Sequence, residues 1–74
     1  MKPVSGKEFA RVLERQGWVL RRVTGSHHIF VKSGVVARIS VPIHANQPLK
    51  RGLQLHLMKI AGLTETDFFA EGHA

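Results

Sequence analysis

Residues 18–41, WVLRRVTGSHHIFVKSGVVARISV, hold three runs of β-forming residues separated by two turn signals. Trp18 to Val23 is the first run, Thr24-Gly25-Ser26 a turn, His27 to Lys32 the second run, and Ser33-Gly34 the next break. In the third run, Val35 to Val41, Ala37, Ile39 and Val41 alternate with Arg38 and Ser40. That period of two turns the apolar set to a core and the polar set to solvent. Pro42 should close the strand, because proline has no N–H to give a ladder. The connections are too short for crossovers, so the three strands form an antiparallel meander.

Working outward, Ser5 followed three residues later by Glu8 is a capping-box pattern. Phe9, Ala10, Val12 and Leu13 then make one apolar face, while Lys7, Arg11, Glu14 and Arg15 take the others until Gly17. This is an amphipathic helix of about three turns. On the other side, Ile43 to Gln47 reads as a polar loop, and Pro48 suits the first position of a second helix. Leu49, Leu53, Leu57, Ile60 and Ala61 mark its stripe, with Gly62 as C-terminal cap. Gly52 weakens that helix by up to about 1 kcal/mol relative to alanine. Thr64-Glu65-Thr66-Asp67 should start a short turn that lays Phe68 on the core, and the last residues should fray. The order helix, three strands, helix defines an α+β domain: an α-β-β-β-α two-layer sandwich whose three-stranded antiparallel sheet carries both helices on one face. One domain is expected over residues 1–74, with a core from about 3 to 63 and an extension at 64–74.

The 74 residues include no cysteine, which excludes a disulfide framework and thiolate zinc ligands. No apolar run approaches the ~18 residues of a membrane span, and no secretory signal follows Lys2, so a cytoplasmic protein with no membrane partner is expected. Charge is the informative bulk property. The net charge is +6 and the pI about 11.0. Residues 1–63 hold all eleven Lys and Arg and two Glu, net +9, whereas residues 64–74 carry Glu65, Asp67 and Glu71, net −3. The basic body suits a polyanion, nucleic acid or an acidic protein surface.

Chemistry is left to histidine. His27, His28, His44, His56 and His73 show no i, i+4 pair beside carboxylates, so no metal or cofactor is expected. Strand alternation sends His27 and His28 to opposite faces, so at most one serves a given site. One imidazole near a ribose 2′-OH, with Lys or Arg near the phosphate, suffices for attack on the neighbouring phosphodiester. Arg21, Arg22, Lys32 and Arg38 flank the turn, and Lys50, Arg51 and Lys59 lie on the polar side of the second helix. Trp18, Phe9, Phe30 and Phe68 read as core.

At Thr24-Gly25-Ser26-His27-His28-Ile29-Phe30 the chain resembles the HicA-type toxins, whose pattern is Gly-Ser-His followed by a strand with an aromatic residue. Ser5-Gly6-Lys7-Glu8 with Leu13 and Gly17-Trp18, Val41-Pro42-Ile43-His44, and Pro48-Leu49-Lys50-Arg51-Gly52 through Ala61-Gly62-Leu63 extend the resemblance over residues 3 to about 68. It implies a fold like that of double-stranded-RNA-binding domains, an mRNA-cleaving endoribonuclease, and a HicB-type antitoxin partner. The family's catalytic histidine falls on His27, while His28 sits where the family varies. Many relatives have His-Pro at the end of the second strand. This chain has Lys32-Ser33-Gly34 there, so Lys32 is a candidate RNA contact on its charge beside the turn and not on the resemblance.

The expectation is therefore a metal-free ribonuclease in which His27 is general base or acid. Arg21, Arg22, Ser26, Lys32, Arg38, Lys50 and Arg51 would hold the RNA. The alternative is an RNA-binding module of the same fold that does not cut.

Overall fold

The computed structural model describes residues 1–69, so His73 and the expected fraying of the last residues lie outside the described residues. Six elements follow in order: α1 (Gly6–Arg15), β1 (Val19–Thr24), β2 (His27–Val31), β3 (Ile39–Pro42), α2 (Arg51–Ala61) and α3 (Glu65–Phe69). The strands form one antiparallel sheet in the order β1-β2-β3, the expected meander.

The capping box of α1 is present in full. The Ser5 hydroxyl accepts from the Glu8 N–H at 3.1 Å, and the Glu8 carboxylate accepts from the Ser5 N–H at 3.4 Å. Phe9, Ala10, Val12 and Leu13 are buried against Phe30, Ile39 and Val41, the inward residues of β2 and β3. Trp18 is core, placed just before β1. From α3, Phe68 closes the far side, with its ring 5.6 Å from that of Phe9.

Two expectations about boundaries are corrected. The third strand starts at Ile39, not Val35, and Ala37 and Val36 are exposed. The physical reason is the register: Phe30 pairs with Ile39 and β2 ends at Val31, so residues before Arg38 find no strand opposite them. Pro42 closes the strand as expected, as its last rung, which an edge strand tolerates. The second helix starts at Arg51 with Lys50 as N-cap, not at Pro48. Pro48 and Leu49 remain extended because they pair with the N-terminal segment: Pro48 bridges Ser5, and the Leu49 N–H donates to the Val4 carbonyl at 2.8 Å.

The expected stripe is observed at Leu49, Leu53, Leu57 and Ala61, which lie in or against the core, and departs at one position. Ile60 is exposed, while Gln54, Leu57 and Met58 are buried. Gln54 is inside because its amide works as a rung of sheet: its oxygen accepts from the Val4 N–H at 3.0 Å and its nitrogen donates to the Lys2 carbonyl at 3.2 Å. A buried amide so satisfied avoids the penalty of an unpaired polar group.

Every residue of β1 is exposed. The helices cover β2 and β3 and leave β1 as an overhanging edge. Its register slips between Leu20 and Arg22, making Arg21 the extra residue of a bulge.

Candidate active site

The helix-free face of the sheet carries His27 and Arg22. Phe30 and Ile39 point to the helices, so their partners in alternation, His27 and Ile29 on β2 with Ser40 and Pro42 on β3, point away. His27 is exposed, while His28, opposite Val41, is half-buried on the inward side. The expected division of the two histidines between faces is therefore observed.

Local structure holds His27 at the end of the sheet. Thr24 and His27 are Cα partners across a two-residue loop, Gly25-Ser26, with Gly25 at φ +59°. A positive φ at the first loop position alone is the pattern of a type II′ turn, where glycine avoids the Cβ clash. The β3 side is tied to this turn by the Ile43 N–H, which donates to the Ser26 carbonyl at 2.8 Å. Beyond it, Nε2 of His44 comes within 3.5 Å of the Ser26 hydroxyl. The start of α1 presses on the same place: a Cβ on Gly6 would overlap the Pro42 carbonyl oxygen. Helix, turn and strand end thus meet beside His27.

The cations divide into near and far. Arg22 pairs with Ile29, so it shares the open face and lies diagonal to His27, about 7 Å along the strand. Lys50 lines a groove of about 430 Å³ with Pro42, His44, Gln47, Pro48 and Leu53, next to the turn. Lys32 follows β2 at the opposite end of the sheet, about 16 Å from His27, and Arg38 precedes β3, about 13 Å from Pro42. Arg21 occupies the bulge, and Arg51 lines a separate hollow with Met1, Pro3 and Leu55. Of the RNA-binding candidates, the fold groups Ser26, Arg22 and Lys50 near His27, and spreads Arg21, Lys32, Arg38 and Arg51 over the rest of the surface. His44 was not among the expected site residues. Its nearness to Ser26 follows from a strand register that only pairing reveals.

Among the described residues, no group of three or more His, Asp or Glu side chains is placed to hold a metal ion. No helix among them is long and apolar enough to cross a membrane.

The sequence profile of the family described as "HicA toxin of bacterial toxin-antitoxin" matches residues 6–63. The chain belongs to the HicA toxin family. The match runs from the first residue of α1 to Leu63, one residue past the C-cap of α2, and takes in the whole sheet with His27 and His44. No curated protein sequence matches the chain. As a HicA-family toxin it has an antitoxin as its partner within a toxin–antitoxin system.

Proposed function

We propose that this HicA toxin is a metal-independent endoribonuclease that cuts mRNA in the cytoplasm, acts as a single domain with residues 64–74 as an extension, and is silenced by a HicB-type antitoxin. The observation that carries the reading is the position of His27. It is an exposed imidazole at the mouth of a fixed turn, on the open face of the sheet, with Arg22 on the same face.

The chemistry follows from that position. An RNA strand lying along the open face meets the net +9 body, and counterion release supplies affinity without reading sequence. His27 is a general base or acid: imidazole exchanges protons near neutral pH, and an exposed one at a turn can reach a ribose 2′-OH or a departing oxygen. Removing the 2′-OH proton starts in-line attack on the adjacent phosphorus. Arg22 and Lys50 stabilise the charge that builds on the phosphoryl oxygens. Arg21, Lys32, Arg38 and Arg51 grip phosphates further along the chain, with Ser26 offering a hydroxyl beside the reacting group. Histidine and these cations supply what the reaction needs without a metal.

The 2′-OH requirement gives the test. An mRNA fragment carrying a single 2′-deoxynucleotide on the 5′ side of its cleavage position should resist cutting there, while the all-ribose fragment yields a 2′,3′-cyclic phosphate. Equal cutting of both would overturn the mechanism. Binding of the all-ribose fragment without any cut would point to the non-catalytic module.

A further inference from the structure

In-line transfer moves two protons: one leaves the attacking 2′-OH, and one must reach the departing 5′-oxygen. A single imidazole leaves the second transfer to water. His44 stands where a second group is needed.

The β2–β3 register, His27 opposite Pro42, continues one step through the Ile43 N–H to Ser26 carbonyl bond. A further step, past the end of β3, leaves His44 next to the Gly25-Ser26 turn through its contact with Ser26. Ile43 packs against the core, and His44, the next residue and exposed, lies diagonal to His27, two positions past its partner Pro42. Positions related by that diagonal lie about 7–8 Å apart, within reach of long side chains. Two imidazoles so placed can engage one phosphodiester from two sides. Two contacts of the loop place His44. Its carbonyl accepts from the Gln47 N–H at 2.9 Å, and Nε2 lies 3.5 Å from the Ser26 hydroxyl. Ala45, the next residue, has φ +50° and is the one non-glycine with a positive φ among the described residues. Such backbone strain persists where the surrounding structure over-determines it, as at functional sites. The groove lined by His44 also holds Lys50, a cation for the phosphoryl oxygens. His28 has no such place, being half-buried on the other face.

We propose that His27 and His44 act as an acid–base pair. One imidazole takes the 2′-OH proton as the O2′–P bond forms. The other, as imidazolium, gives its proton to the 5′-oxygen as the P–O5′ bond breaks. The products are a 2′,3′-cyclic phosphate and a 5′-hydroxyl, and the two histidines end in exchanged protonation states. This rests on the ribonuclease reading above.

The test compares wild type, His27→Ala, His44→Ala and His44→Gln on labelled mRNA and on a mixture of nucleoside 3′-(para-nitrophenyl phosphates). On mRNA each variant should lose about 100-fold or more in kcat, the usual worth of a positioned proton donor or acceptor. Nitrophenolate leaves without a proton. On the ester, therefore, the variants lacking the general acid should return to within about tenfold of wild type, while those lacking the base stay impaired. His44→Gln keeps a polar group for Ser26 but has no proton to exchange, so it should behave as His44→Ala. The pair is overturned by wild-type mRNA cleavage in His44→Ala, by rescue in His44→Gln, or by equal losses on both substrates in every variant. Wild type that binds mRNA but cuts neither substrate would instead overturn the ribonuclease reading, and the pair with it.

Discussion

Glycine-to-alanine substitutions at Gly6 and Gly52 should shift stability in opposite directions, although the chemical change is the same. Gly52 is exposed near the start of α2, and a Cβ there meets nothing within 4 Å. Alanine gains helix propensity and restricts the unfolded chain, so Gly52→Ala should stabilise by roughly 0.4–1 kcal/mol. Gly6 opens α1, where a Cβ would overlap the Pro42 carbonyl oxygen and come 3.1 Å from Cγ1 of Ile43. The obstacle is backbone, which cannot swing aside, so α1 or the end of β3 must move. Overpacking of this kind costs about 1–3 kcal/mol, against a propensity gain of at most about 1 kcal/mol. The net should be a loss of roughly 1–2 kcal/mol. For a domain of this size about 1 kcal/mol moves Tm by about 4–8 °C. Thermal unfolding followed by far-ultraviolet circular dichroism should therefore show Gly52→Ala melting a few degrees higher and Gly6→Ala roughly 4–16 °C lower. Because Pro42 pairs with His27, Gly6→Ala should also lose mRNA cleavage at temperatures where it remains folded. Shifts of the same sign in both variants would refute the reasoning.

Gln54→Leu strips the buried Val4 N–H of its acceptor, and should cost about 1–3 kcal/mol in urea unfolding while speeding hydrogen exchange at the Val4 amide; a loss under about 0.5 kcal/mol would contradict the role given to the Gln54 amide. Lys32→Gln and Arg38→Gln, distant from His27, should weaken RNA binding without slowing saturated turnover. Each should flatten the salt dependence of log K by about 0.7, the slope carried by one neutralised phosphate on single-stranded RNA. Arg22→Gln, by contrast, should lower kcat itself, read from the plateau of the cleavage rate. In the toxin–antitoxin complex, hydrogen exchange should be slowed across Ser26–His28 and Pro42–His44; protection confined to α1 and α2 would place the antitoxin elsewhere.

The architecture was legible because its signals are local. The Ser5 and Glu8 capping box, the Gly25 turn, the alternation of Ile39, Ser40 and Val41, and the Gly62 cap each act within a few residues, and each appears where expected. What was missed depends on distant partners. Val35 and Val36 have strand propensity but nothing opposite them once β2 ends at Val31. Pro48 and Leu49 look like the start of a helix and instead pair with Val4 and Ser5, more than forty residues earlier. Gln54 was invisible as a core residue because its burial depends on backbone groups of Lys2 and Val4. The site divided in the same way. The place of the candidate His27 at its turn was legible from neighbouring residues, whereas the approach of His44 to Ser26 needed the β2–β3 register, and the separation of Arg22 from Lys32 and Arg38 needed the lengths of the strands.

The most direct test of the central claim is cleavage of a labelled mRNA in EDTA by purified wild-type toxin and a folded His27→Ala variant. Cutting by wild type alone is the predicted result; cutting by both, or by wild type only after a divalent metal is restored, would contradict a metal-free ribonuclease built on His27.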